Sequence, residues 1–145
     1  MDGELLVNRR PVVIFDTNMF MLMAEGVPVI EWIEELIDTK PVVLCPEGVF
    51  KELESLTEQG GALGRRASFA RELALRYCER RERYETGSVD KEIIAVAVQE
   101  KEKGSTVIVA TSDRSLRKAL REIGISTIFY RESQDKLEIE HAPLI

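Results

Sequence analysis

The sequence predicts an α/β domain: a parallel sheet covered by helices on both faces. Pro11-Val-Val-Ile-Phe15, Pro41-Val-Val-Leu-Cys45 and Thr106-Val-Ile-Val-Ala110 are short apolar runs rich in β-branched residues. They are apolar throughout rather than alternating, which marks strands covered on both faces. Segments of helical spacing separate them, and strands alternating with helices build parallel sheets. The 145 residues contain no internal repeat, low-complexity tract or linker, so residues 1–145 read as one domain.

In chain order, the first run ends at Asp16-Thr-Asn18 and an apolar helical stretch follows. Val29, Ile30, Ile33, Leu36 and Ile37 repeat at helical spacing after Pro28. Pro46 opens a helix from Glu47 to about Thr57. Gly60, Gly61 and Gly64 mark a loop before an Arg-rich helix spanning roughly Leu63 to Arg81. A weak strand is expected near Tyr84–Thr86. Ser88 caps the next helix, whose buried face is Val89, Ile93 and Ala97 with Ile94 and Val98. After the strand ending at Ala110, a helix runs from Asp113 to Ile123 with Leu116, Ala119, Leu120 and Ile123 on one side. Gly124 ends it. Ile125–Tyr130 forms a further strand, and Lys136–Glu140 an edge strand after a turn.

The net charge is −6, which argues against a general nucleic-acid coat. Residues 1–60 carry 12 acids against 4 bases, and residues 61–145 carry 14 against 16. An acidic half can build a cation site, and a mildly basic half can meet phosphates. Met19 to Ala24, as long a purely apolar run as any in the chain, is too short to span a bilayer. With no signal-peptide pattern, a cytoplasmic protein is expected. Cys45 and Cys78 lack metal-ligand spacing and read as two buried thiols in a reducing compartment.

Ligands of open α/β sheets bind beyond the carboxyl ends of the strands. Asp16, Asp90 and Asp113 all follow predicted strands. Each alone is an ordinary helix cap or first-turn acid; three at one sheet edge are less ordinary. Val49, Leu53 and Leu56 define the buried side of the helix after Pro46. Glu52 and Glu54 lie near its opposite flanks, and periodicity does not choose between them. Two like charges about 4 Å apart repel by roughly 4 kcal/mol at an effective dielectric near 20. Four converging carboxylates therefore call for cations or raised pKa values. All-oxygen ligands favour Mg²⁺ or Mn²⁺ over Zn²⁺. The lone His141 reads as an exposed tail residue.

Arg114, Arg117, Lys118 and Arg121 form a basic stripe opposite the leucine face of their helix. The helix after Gly64 adds Arg65 and Arg66. Such cations bind phosphates without reading sequence.

Four segments, Val-Ile-Phe-Asp16-Thr-Asn, Pro46-Glu-Gly-Val-Phe-Lys-Glu52-Leu, Val-Asp90-Lys-Glu-Ile-Ile-Ala and Val-Ala-Thr-Ser-Asp113-Arg-Ser-Leu-Arg, resemble in order the acidic motifs of PIN-domain nucleases. The resemblance selects Glu52 over Glu54. It implies a three-layer fold with a twisted, mainly parallel sheet of about five strands and helices on both faces. It also implies metal-dependent endoribonuclease cleavage leaving a 5′-phosphate and a 3′-hydroxyl, with Asp16, Glu52, Asp90 and Asp113 as catalytic metal ligands. Thr17 or Asn18 would orient Asp16 or a nearby water, and Thr111 or Ser112 would act similarly beside Asp113. The chain departs from the family where Lys91 follows Asp90 and where Ser112 replaces the common Asn. The Arg-rich helix and the end of the chain are similar to an archaeal branch allied with ribosomal-RNA-processing PIN proteins; VapC-type toxins are the nearest competitor. RNA is the implied partner, alongside a homodimer and an antitoxin or ribosome-assembly partner. The rivals are a weakly active RNA-binding module and a receiver-like phosphoacceptor. The latter is disfavoured because Arg9 and Arg10, not paired acids, precede the first strand.

Overall fold

Apolar runs that need cover on both faces end up at the centre of a sheet. The computed structural model describes residues 10–81 and 87–143. Its elements are β1 (Val12–Phe15), α1 (Thr17–Ala24), α2 (Val29–Ile37), β2 (Val42–Pro46), α3 (Glu47–Glu58) and α4 (Gly61–Tyr77). They continue with β3 (Glu79–Arg81), α5 (Val89–Glu102), β4 (Val107–Ala110), α6 (Arg114–Glu122), β5 (Ser126–Arg131) and β6 (Lys136–Glu140). A turn of 3-10 helix at Glu132–Gln134 joins the last two strands. The strand order is β3-β2-β1-β4-β5-β6. All pairs are parallel except β5–β6. The predicted α/β class holds, with the edge strand making the sixth.

Alternate residues of each central strand feed opposite layers. Val13 and Phe15 pack with α1 to α4, whereas Val12 and Ile14 pack with α5 and α6. Both sides of β1 are fully dry, and each such side chain contributes roughly 1.5–3 kcal/mol of burial. The chain leaves β1 for β2 on one side and later returns to β4 on the other. That reversal leaves a crevice beyond the carboxyl end of β1.

Several local expectations are corrected, and one falls outside the described residues. The Arg-rich helix stops at Tyr77 rather than Arg81, because Glu79–Arg81 pair with Leu44–Pro46 as β3. A strand near Tyr84–Thr86 lies outside the described residues. On α5, Val96 rather than Val98 is buried with Ile93 and Ala97, and α6 leaves Ile123 exposed. Cys45 and Cys78 are not separate thiols. The β2–β3 pairing brings their Cα atoms to 5.7 Å, and they form a disulfide. Among the described residues no helix is long and apolar enough to cross a membrane.

Candidate active site

Asp16 is the first residue past β1, with its backbone N–H donating to the Ala110 carbonyl at 3.0 Å. Its carboxylate is held at both oxygens. Oδ1 accepts from Thr17 N at 2.7 Å, capping α1, and Oδ2 accepts from the Thr111 hydroxyl at 2.7 Å. Thr111 is fully buried, and its Oγ1 also accepts from Asp113 N at 3.2 Å. One hydroxyl therefore ties together acids that follow neighbouring strands. Asp113 caps α6 through Leu116 N at 2.9 Å. Ser88 caps α5 by accepting from Lys91 N, which leaves Asp90 in the first turn without a capping duty.

Asp16, Glu52, Asp90 and Asp113 line one cavity of about 690 Å³, together with Thr17, Asn18, Ser112 and Arg66. Burial raises the Asp16 carboxyl above its ordinary value. The Thr111 and Thr17 hydrogen bonds oppose that rise, and the charges of Asp90 and Glu52 add to it. Partial enclosure raises Asp90 as well, followed by the charges of Asp113 and Glu52. All four acids thus appear in one repulsive set, linked through Asp90 and Glu52. The Thr17 hydroxyl is buried beside Asp16 with no hydrogen-bond partner among the described residues. Among those residues no three acidic, His or Cys side chains stand in ready-made metal-ligand geometry. Glu52, Asp90 and Asp113 are exposed at the cavity wall.

The four-residue basic stripe on α6 is divided. Arg117 stacks 3.7 Å from the Phe129 ring centroid and, like Arg121, pairs with Glu140 at 3.3 Å. Edge strand β6 supplies that glutamate, and its carboxylate occupies both guanidinium groups. Arg114 and Lys118 remain exposed. Arg65 is exposed on α4, and Arg66 pairs with Glu25 at 3.5 Å across the cavity mouth. Ser112 uses its hydroxyl to accept from Tyr130 N at 3.1 Å, so its bond goes to β5 rather than to Asp113.

The sequence reading passed over Glu92. This residue of α5 is buried at 3% exposure, and its Oε1 accepts from Gly48 N at 3.1 Å in the first turn of α3. The bond joins the helix carrying Asp90 to the helix carrying Glu52. A Cβ on Gly48 would stand 2.1 Å from that oxygen. The carboxylate can swing away, but only by giving up the bond from Gly48 N to its Oε1. Gly48→Ala is therefore expected to lose about 1–3 kcal/mol from that bond against a helix-propensity gain of about 1 kcal/mol, for a net loss of up to about 2 kcal/mol. Thermal unfolding checks this; an unchanged or higher midpoint would show that the bond contributes little.

A family model described as PIN like domain matches residues 13–133. The chain belongs to the PIN-like domain family. Its fold matches the structure of the PIN domain endonuclease Utp24 with a TM-score of 0.70 and 25% identity, covering 92% of this chain and 95% of that one. A domain of a functionally unknown protein from Methanocaldococcus jannaschii DSM 2661 matches at a TM-score of 0.58 and 23% identity, covering 93% and 98%. That second likeness carries the fold alone. No curated protein matches the chain. PIN membership and the likeness to an endonuclease support nuclease chemistry with RNA as the substrate class, and divalent metals as the family's general cofactors.

Proposed function

We propose that this PIN-family chain is a Mg²⁺- or Mn²⁺-dependent endoribonuclease whose catalytic residues are Asp16, Glu52, Asp90 and Asp113. The observation that carries the reading is the shared cavity, into which four distant segments bring carboxylates at the sheet's reversal point. The fit to a cation rests on three features: the all-oxygen donor set, the burial and then the like charges that raise Asp16 and Asp90, and the unpartnered Thr17 hydroxyl. A bound divalent cation supplies charge for the phosphate and lowers the pKa of water.

The chain's own residues supply the positioning. Asp16, held by Thr17 and Thr111, is the fixed member, and the three exposed acids have the rotamer freedom to close on a cation beside it. Arg66, which lines the cavity, and exposed Arg65, Arg114 and Lys118 would meet the phosphate backbone. Processing of ribosomal RNA is preferred over a toxin role on the resemblance of the Arg-rich helix and the chain's end. A homodimeric or ribosome-assembly partner belongs to the same proposal.

Unstructured RNA incubated with Mg²⁺ or Mn²⁺ should be cut internally to 5′-phosphate products, and EDTA should stop it. Chelator-insensitive RNA binding with no cleavage under either metal would instead favour a binding module. The raised carboxyls add a pH dependence. Without metal, their contribution to stability is full below the ordinary carboxylate range and is lost as pH rises through the raised values of Asp16 and Asp90. Cation binding offsets that loss by occupying the deprotonated site. Mg²⁺ should therefore raise the unfolding midpoint more at pH 7.5 than at pH 5. Equal shifts at both values would detach the cation from these carboxylates.

A further inference from the structure

A second cavity of about 390 Å³ adjoins the acidic one and shares Asn18, Glu25 and Ser112 with it. Its remaining wall is Leu22, Val27, Tyr130 and Glu132. The volume lies within the range of small-ligand sites, about 300–1,000 Å³. We propose that this cavity holds one unpaired nucleobase next to the cleaved linkage, stacked against Tyr130 and selected for an exocyclic amine. The inference rests on the nuclease reading of the neighbouring site and adds what that site recognises.

Three observations carry it. The first is continuity: a strand with its phosphate among the four acids must place a flanking nucleotide alongside, and the shared wall makes this cavity the adjoining space. The second is charge. Glu132, beside the Glu25–Arg66 pair, repels a second phosphate here, while carboxylates accept hydrogen bonds from base amines. Adenine, cytosine and guanine carry such donors; uracil presents carbonyl oxygens in their place. The third is rigidity. Tyr130 is fixed at its backbone by Ser112 and at its hydroxyl by a 2.6 Å bond to Asp135. That bond, then burial and the charges of Asp135, Glu132 and Glu25, push the phenol up to about 12. The ring stays neutral and loses little freedom on stacking, as a sequence-tolerant platform for single-stranded bases requires. Asn18, exposed on the shared wall, adds an amide able to donate and accept.

The test uses an unstructured RNA oligonucleotide with 2-aminopurine scanned along it, read by fluorescence in an Asp16→Asn background so that cleavage does not compete. Quenching of at least twofold is expected at one position, lost in Tyr130→Leu and kept in Tyr130→Phe, with thermal unfolding confirming that each variant folds. Active protein on a randomised RNA pool, with cleavage sites read by sequencing, should deplete uridine several-fold at one flanking position. Glu132→Gln, whose amide can donate to uracil, should relax that depletion. No quenching, or equal quenching with and without the Tyr130 ring, overturns the stacking site. Cleavage indifferent to the flanking base overturns its amine selectivity. If RNA is never cut yet 2-aminopurine is quenched through Tyr130, the nuclease reading falls and the base site stands.

Discussion

Asp16→Asn should abolish RNA cleavage, reducing it by about 10³-fold or more, which corresponds to roughly 4 kcal/mol of lost transition-state stabilisation. The substitution keeps the shape of the side chain and removes its charge. Thr17 N can still donate to the amide oxygen, and the Thr111 hydroxyl can rotate to accept from the amide nitrogen, so the end of β1 should keep its geometry. Stability measured without metal should hold or rise at neutral pH. A carboxylate that burial and two like-charged neighbours already disfavour would be gone. An inactive but equally or more stable protein separates a catalytic acid from a structural cap. Cleavage at the same rate by both proteins would trace the activity to a contaminant and remove the assignment.

Thr111→Val should cost 10- to 100-fold in activity or metal affinity, the usual scale for a group that orients a ligand. Valine matches threonine in shape but neither donates to Asp16 Oδ2 nor accepts from Asp113 N. Thr111 is completely buried, so water would not replace the hydroxyl easily. A stability loss of about 1–3 kcal/mol should accompany the change. Thr111→Ser should restore most of both. The informative readout is the dependence of the rate on Mg²⁺ concentration. A shift to higher Mg²⁺ identifies the hydroxyl as an orienting group, whereas wild-type rates at all concentrations would reduce it to packing.

What the sequence made legible follows from burial. Central parallel strands covered on both faces are written as continuous apolar runs, so β1, β2 and β4 could be read directly. β3 could not, because its three residues Glu79, Arg80 and Arg81 carry no apolar signal and form a strand only through pairing with β2. The cysteine pair was invisible for the same reason: bonding depends on which strands are neighbours. In the candidate site, acids at strand ends could be located, and the family motifs chose Glu52 over Glu54. Periodicity defined the basic face of α6 but could not show that Glu140, arriving from the opposite edge strand, would engage Arg117 and Arg121. Glu92 looked like any helix-surface acid. Only its meeting with a glycine 44 positions away distinguishes it.

The central place of β1 bears on the order of events during synthesis. Its partner on one flank, β2, emerges from the ribosome soon after it, but the other flank waits for β4. Asp16 and the hydroxyl that grips it are 95 positions apart. A nascent polypeptide truncated before residue 111 therefore lacks one of the two bonds that lock the pocket's innermost acid. The candidate site stays unassembled until most of the chain has been translated.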